Sequence, residues 1–369
     1  MSPERDARHL VRPHLLAMPG YEPVEPIDVL AQRLGIPEER IVKLDGNENP
    51  YGPSPKVSAA LAGFHYYHLY PDPNQTHVRA AVARYIGADP AQVMLGNGSD
   101  ELLTIVCTMF ISPGDAIVNA PPTFGMYDFL GRSAQARIIE VARREDFSLD
   151  VPTIEDALSQ GAKLLFLASP NNPTGNSLPR DQLQRLLRHR AIIVLDEAYA
   201  EFSGESAVDL VHSHDNLIVV RTFSKWAGLA GLRAGYAVFP LTLVDIAWKV
   251  KVPYSLNAAA ERAVLASLED CDRLKRHVSL IVAERERLCQ LLATIPWLRP
   301  YPSEANFVLC EVRGTSARDV RDRLRQRGIF VRFFDVPALR NCLRISVGRP
   351  EQTDRLIEAL KEIGVAVGK

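Results

Sequence analysis

A lysine and an arginine eight residues apart, with two hydroxyls beside the lysine, form the stretch of this chain best equipped for chemistry. It reads TFSKWAGLAGLR, from Thr222 to Arg233. Lys225 follows the apolar run LIVV closed by Arg221, a strand pattern, and is flanked by Thr222 and Ser224. A lysine amine is mostly protonated near neutral pH and is a poor nucleophile. It becomes useful when it condenses with an aldehyde to give a Schiff base. Hydroxyls with a nearby guanidinium make a seat for a phosphate. An aldehyde that carries its own phosphate meets both conditions, and pyridoxal phosphate is such a molecule. Taken alone, the stretch also reads as a surface lysine after a strand.

Other positions add to it. Asp196 closes the apolar run AIIVL, so its carboxylate is expected to be partly buried and to need a cationic partner. A protonated pyridine nitrogen is such a partner, and its charge makes the ring an electron sink. A carboxylate capping the strand end is the plainer alternative. Tyr199, three residues on, could donate to the ring's 3-oxygen, and Asn172 in SPNNPTG could bond the same atom. By itself that segment is an ordinary turn. Phe124 in PPTFGMY could stack on the ring face or sit in the core. GNGSDE opens a predicted helix, so Gly98, Ser99 and Asp100 could offer free N–H groups and a helix dipole to a phosphate. The plainer reading is an N-cap by Ser99. Neither this cluster nor Gly228, Gly231 and Gly235 has the spacing of a dinucleotide fingerprint.

The elements that must position these residues alternate between short apolar runs and helical patterns from Val93 onward. Runs at VML, AIVNA, ARIIEV, KLLFLAS, AIIVLDEAY and NLIVVR, with helices between, imply a largely parallel sheet covered on both faces. Ligands in such sheets bind outside the carboxyl ends of the strands, where the residues named above fall. The segment DGNENPYGPSP is turn-rich, and its side-chain amides could face a site. Thr76 could cap the helix that carries Val78 to Tyr85. After about Asn257 a long helical stretch, one helix or two, precedes strands at NFVLCEV, GIFVRF and CLRISVG. The expected organisation is an α/β fold. An N-terminal arm (1–44) joins a small α+β domain (257–369), and a large domain (45–256) carries a mostly parallel sheet of the seven-stranded type.

Composition narrows the function classes. The chain has 369 residues, 47% apolar, with a net charge of −1. No basic field invites nucleic acid, no apolar run reaches membrane-span length, and the N-terminus lacks a signal-peptide pattern. The five scattered cysteines read as reduced thiols of a cytoplasmic protein. The nine histidines show no metal-ligand spacing, so no metal is expected.

Together, YEPVEPIDVLAQRLG, LDGNENPYGPSPK, YPDPNQ, LGNGSDELL, PPTFGMY, SPNNPTGN, LDEAYAEF, TFSKWAGLAGLRAGY, GIFVRFFD and CLRISVG resemble the fold-type I pyridoxal-phosphate aminotransferases. Within them the chain is similar, almost end to end, to the histidinol-phosphate aminotransferases. The resemblance implies that Lys225 condenses with the cofactor and shuttles protons. It implies that Asp196 holds the pyridine nitrogen, and that Tyr199 and Asn172 hold the 3-oxygen. Gly98, Ser99, Asp100, Ser224 and Arg233, with Thr222, would surround the cofactor phosphate. Tyr70 would reach the phosphate of the neighbouring subunit in a homodimer. Phe124 departs from the tyrosine common in relatives. Arg344 would bind the substrate anion, with Arg332 and Tyr21 added for a phosphate. The implied activity is transfer of the amino group from histidinol phosphate to 2-oxoglutarate, in histidine biosynthesis. Alternatives are an aromatic amino-acid aminotransferase, a threonine-phosphate decarboxylase, or a non-catalytic carrier of the cofactor.

Overall fold

A computed structural model of the chain describes residues 6–21 and 23–367. Its strands, in chain order, are β1 (Val42–Leu44), β2 (Val93–Asn97), β3 (Ala116–Asn119), β4 (Arg137–Glu140), β5 (Leu164–Ala168), β6 (Ile192–Asp196), β7 (Leu217–Thr222), β8 (Ala234–Val238), β9 (Leu298–Pro300), β10 (Phe307–Val312), β11 (Ile329–Phe333) and β12 (Cys342–Ser346). Seven form one sheet in the order β2-β8-β7-β6-β5-β3-β4, and five form a second in the order β1-β11-β12-β10-β9.

In the larger sheet β7, β6, β5, β3 and β4 are parallel, as the alternation of apolar runs and helices predicts. Strands β5 and β7 are buried at every position, because helices cover both faces. β8 is antiparallel to both of its neighbours, β2 and β7. Sequence reading assigns no strand there, since AGYAV is short and interrupted by glycine. Gly235 is needed for a close approach: a Cβ on it would lie 2.4 Å from the Ser99 nitrogen. The antiparallel run brings the start of β8, and Arg233 just before it, alongside the carboxyl ends of β2 and β7.

The helix Gly98–Phe110 starts at once after β2. Its N-cap is Asn97, so Ser99 is not the cap. Thr76 likewise is not a cap: Gln75 holds that position, and the Asp72 carboxylate accepts the Thr76 N–H at 2.8 Å. The long pattern after Asn257 resolves into two helices, Ala258–Glu269 and Cys271–Ala293. In the smaller sheet β1 pairs parallel with β11, so the segment leading out of the N-terminal region completes it.

Candidate active site

The carboxyl ends of β2, β5, β6 and β7 bring most of the expected residues to one place. Asp196 ends β6 and is 5% exposed. Its carboxylate accepts from the Tyr127 hydroxyl at 2.9 Å and the Ala198 N–H at 3.0 Å. Burial raises its pKa to about 6, while those two bonds pull the other way. A carboxylate so placed gains from a cation brought to it.

Lys225 sits in the loop after β7, its amine donating to the Gly46 carbonyl at 3.1 Å. Burial lowers its pKa to about 8, helped by the Arg344 and Arg233 cations and opposed by Glu48 and Asp100. Thr222 and Ser224 are buried beside it, and the Thr222 hydroxyl donates to Ser224 Oγ at 2.9 Å. Arg233 reaches back across the sheet edge to Asp100, 2.9 Å away. Gly98, at φ +79°, leaves room for it: a Cβ there would lie 2.4 Å from the guanidinium. Hydroxyls, a guanidinium and a helix N-terminus thus surround one spot.

Tyr199 is 6% exposed, and burial raises its pKa to about 12. Its hydroxyl accepts from Asn47 Nδ2 at 2.9 Å. Asn172 accepts from Arg344 Nη1 at 2.7 Å, which joins the loop after β5 to β12 of the other sheet. Arg344 also donates to the Asp45 carbonyl. Its Nε is buried with no hydrogen-bond partner among the described residues, an opening for an anion. Arg332 lies opposite Arg344 in the β11–β12 register. Both guanidiniums approach the Phe334 ring, at 5.8 and 5.7 Å from its centroid. Tyr21 is close to the Gly125 backbone, its ring 3.8 Å from where a Cβ on that glycine would stand.

Phe124 stands edge-on to Tyr127, 5.6 Å between centroids. Tyr70 is not brought to this site within the chain. It is 83% exposed and stacks on Tyr254, 4.6 Å between centroids. Sequence reasoning missed Tyr127, Phe334 and Asn47 as individuals. Asn47 had a signal, the amide-rich DGNENP turn. Tyr127 and Phe334 look like core aromatics in sequence. Among the described residues no group of three or more His, Cys, Asp or Glu could hold a metal ion.

A family model described as aminotransferase class I and II matches residues 39–360. The chain belongs to the class I and II aminotransferases. This aminotransferase is 51% identical to the histidinol-phosphate aminotransferase of Roseiflexus castenholzii over 96% of its own length and 98% of that protein. It is 44% identical to the chloroplastic histidinol-phosphate aminotransferase of Nicotiana tabacum, covering 95% of this chain and 86% of that one. Among solved structures, the aminotransferase superposes on histidinol-phosphate aminotransferase from Sinorhizobium meliloti in complex with pyridoxal-5'-phosphate. That match has a TM-score of 0.88 at 28% identity and covers 97% and 98% of the two chains.

Proposed function

We propose that the enzyme transfers the amino group of L-histidinol phosphate to 2-oxoglutarate, giving 3-(imidazol-4-yl)-2-oxopropyl phosphate and L-glutamate, with pyridoxal phosphate as cofactor. The observation that carries the substrate reading is the pairing of Arg332 with Arg344 on neighbouring strands. Glutamate presents a carboxylate, for which Arg344 alone suffices. Histidinol phosphate presents a phosphate, farther from its reacting carbon and more highly charged, and so has use for a second cation.

The residues present fit the cofactor. A buried carboxylate raised by burial stands ready for the pyridine nitrogen, and a lysine with lowered pKa lies in the same site. Pyridoxal phosphate, when bound, supplies an aldehyde and an electron-withdrawing ring. Lys225 then takes and returns the proton at the substrate carbon that bears nitrogen. Asp196 holds the proton on the pyridine nitrogen, and Tyr199 and Asn172 hold the 3-oxygen. Phe124 packs on the ring. The backbone of Gly98, Ser99 and Asp100, with Thr222, Ser224 and Arg233, holds the phosphate. Arg344 receives the acidic group of either substrate, with Arg332 and Tyr21 added for the phosphate.

We further divide the chain into an arm (1–44), a large cofactor domain (45–256) and a small domain (257–369). The working unit is a homodimer in which Tyr70 serves the neighbour's cofactor phosphate. An exposed hydrophobic strip at Tyr66, Tyr67, Leu69 and Tyr70 supports such an interface. A cytoplasmic location accords with five free cysteines. The test is a comparison of kcat/KM for histidinol phosphate, phenylalanine and tyrosine. Preference for histidinol phosphate is expected. An equal or higher value for phenylalanine or tyrosine would replace this reading with an aromatic aminotransferase.

A further inference from the structure

Asn47 lies in the turn after β1, one residue past the Gly46 carbonyl that Lys225 binds. It is 1% exposed and adopts a left-handed backbone, φ 53°. Each of its polar groups is engaged. The backbone N–H donates to Ser346 Oγ at 2.9 Å, and the carbonyl accepts from Asn306 Nδ2 at 2.9 Å. Oδ1 accepts the Ser346 hydroxyl at 2.8 Å, and Nδ2 donates to the Tyr199 hydroxyl at 2.9 Å.

This arrangement has a direction. A serine hydroxyl has one hydrogen, and that of Ser346 goes to Oδ1. The carbonyl end of the amide is thereby turned toward Ser346, and the NH₂ end toward Tyr199. An amide nitrogen donates and does not accept, so the Tyr199 oxygen is the acceptor in that bond. The single hydrogen of Tyr199 is left to donate elsewhere. Ser346 belongs to β12, and Asn306 immediately precedes β10. The smaller sheet therefore sets the polarity of a hydroxyl that follows β6 of the larger one.

We propose that Asn47 is a positioning residue for amino transfer: it fixes the Tyr199 oxygen as an acceptor and so commits the Tyr199 hydrogen to the 3-oxygen of the bound cofactor. This rests on the cofactor reading above. A donor to that oxygen favours its anionic form. The visible band of the loaded enzyme therefore titrates at lower pH with the donor than without it.

The test is a spectrophotometric pH titration of the cofactor-loaded enzyme in four forms: wild type, Asn47→Asp, Tyr199→Phe and the double variant. Aspartate has the same shape and tolerates a left-handed backbone. Its carboxylate only accepts, so it draws the Tyr199 hydrogen away from the site. Asn47→Asp should raise the midpoint by roughly one pH unit, the size one hydrogen bond can supply. In the Tyr199→Phe background most of that shift should vanish, leaving only the effect of the added charge. An unchanged midpoint in Asn47→Asp, or an equal shift in both backgrounds, would overturn the proposal. If Asn47→Asp does not fold or load, Ser346→Ala decides, since it frees the amide to turn. A raised midpoint there supports the assignment and an unchanged one refutes it. A wild-type protein with no visible band after loading with pyridoxal phosphate would instead defeat the cofactor reading itself.

Discussion

Burial and two neighbouring guanidiniums bring the Lys225 amine down to about 8, and this gives cofactor uptake a pH signature. A lowered lysine pKa means the neutral amine appears at lower pH. At pH 7 about a tenth of the apoenzyme would carry a reactive amine, against roughly one in 3,000 for an unperturbed lysine. The rate of pyridoxal phosphate uptake should rise about tenfold per pH unit below about 8 and level off above it. Stopped-flow absorbance checks this, and a rate still climbing at pH 10 would contradict it. Borohydride reduction and peptide mapping should then place the cofactor on Lys225. The Tyr127 bond to Asp196 works in the opposite sense to burial. Tyr127→Phe should raise the Asp196 pKa further, so that more of the carboxylate is protonated at neutral pH. Its kcat should fall by about tenfold, the equivalent of one hydrogen bond to a charged group, with little change in KM. A kcat within twofold of wild type would refute this role. Lys225 and Asp196 were legible in sequence because charged residues closing or following apolar runs are conspicuous, whereas Arg344, in the middle of CLRISVG, was marked only by the family resemblance. Tyr127 was not legible, because its hydroxyl partner is 69 residues away and its ring packs like any core aromatic.

At the scale of elements, the glycines where the chain crosses itself decide the shape of the proposed phosphate seat. Gly98 has a left-handed backbone, and its missing Cβ is the space the Arg233 guanidinium occupies. Gly98→Ala therefore strains the backbone by about 1–2 kcal/mol and displaces Arg233. Cofactor affinity should drop by about tenfold or more in a fluorescence titration, while the rest of the fold, judged by circular dichroism, persists. Unchanged affinity would show that Arg233 does not hold the phosphate. The parallel strands were readable because burial on both faces leaves continuous apolar runs. β8 was not, since its glycine is set by the approach of the Ser99 backbone rather than by strand propensity. The end of the Gly98–Phe110 helix was readable only to within its cap. Asn97 takes the position that Ser99 suited by residue type, because the close β2–β8 pairing carries the strand to Asn97.

Across the whole molecule, the site spans two sheets, joined directly where Arg344 binds Asn172. The α/β architecture with a mostly parallel seven-stranded sheet was legible from the order of elements. The contact between the sheets was not, since its partners are 172 residues apart. The proposed dimer adds a further level. Tyr70→Asp sets a carboxylate against the neighbour's cofactor phosphate, whereas Lys225→Ala damages the subunit's own site. Two nearly inactive parents, unfolded partway and refolded together, should regain activity, because one site of the mixed dimer keeps both wild-type residues. No gain, with exchange confirmed by native mass spectrometry, would refute the shared site. The central claim is that two arginines on adjacent strands read the substrate phosphate, and the most direct measurement is kcat/KM of wild type and Arg332→Ala with histidinol phosphate and with glutamate. Loss of one charge-assisted contact of about 2 kcal/mol should lower the value for histidinol phosphate about thirtyfold and leave that for glutamate nearly unchanged. Equal losses for both substrates, or none for either, would contradict it.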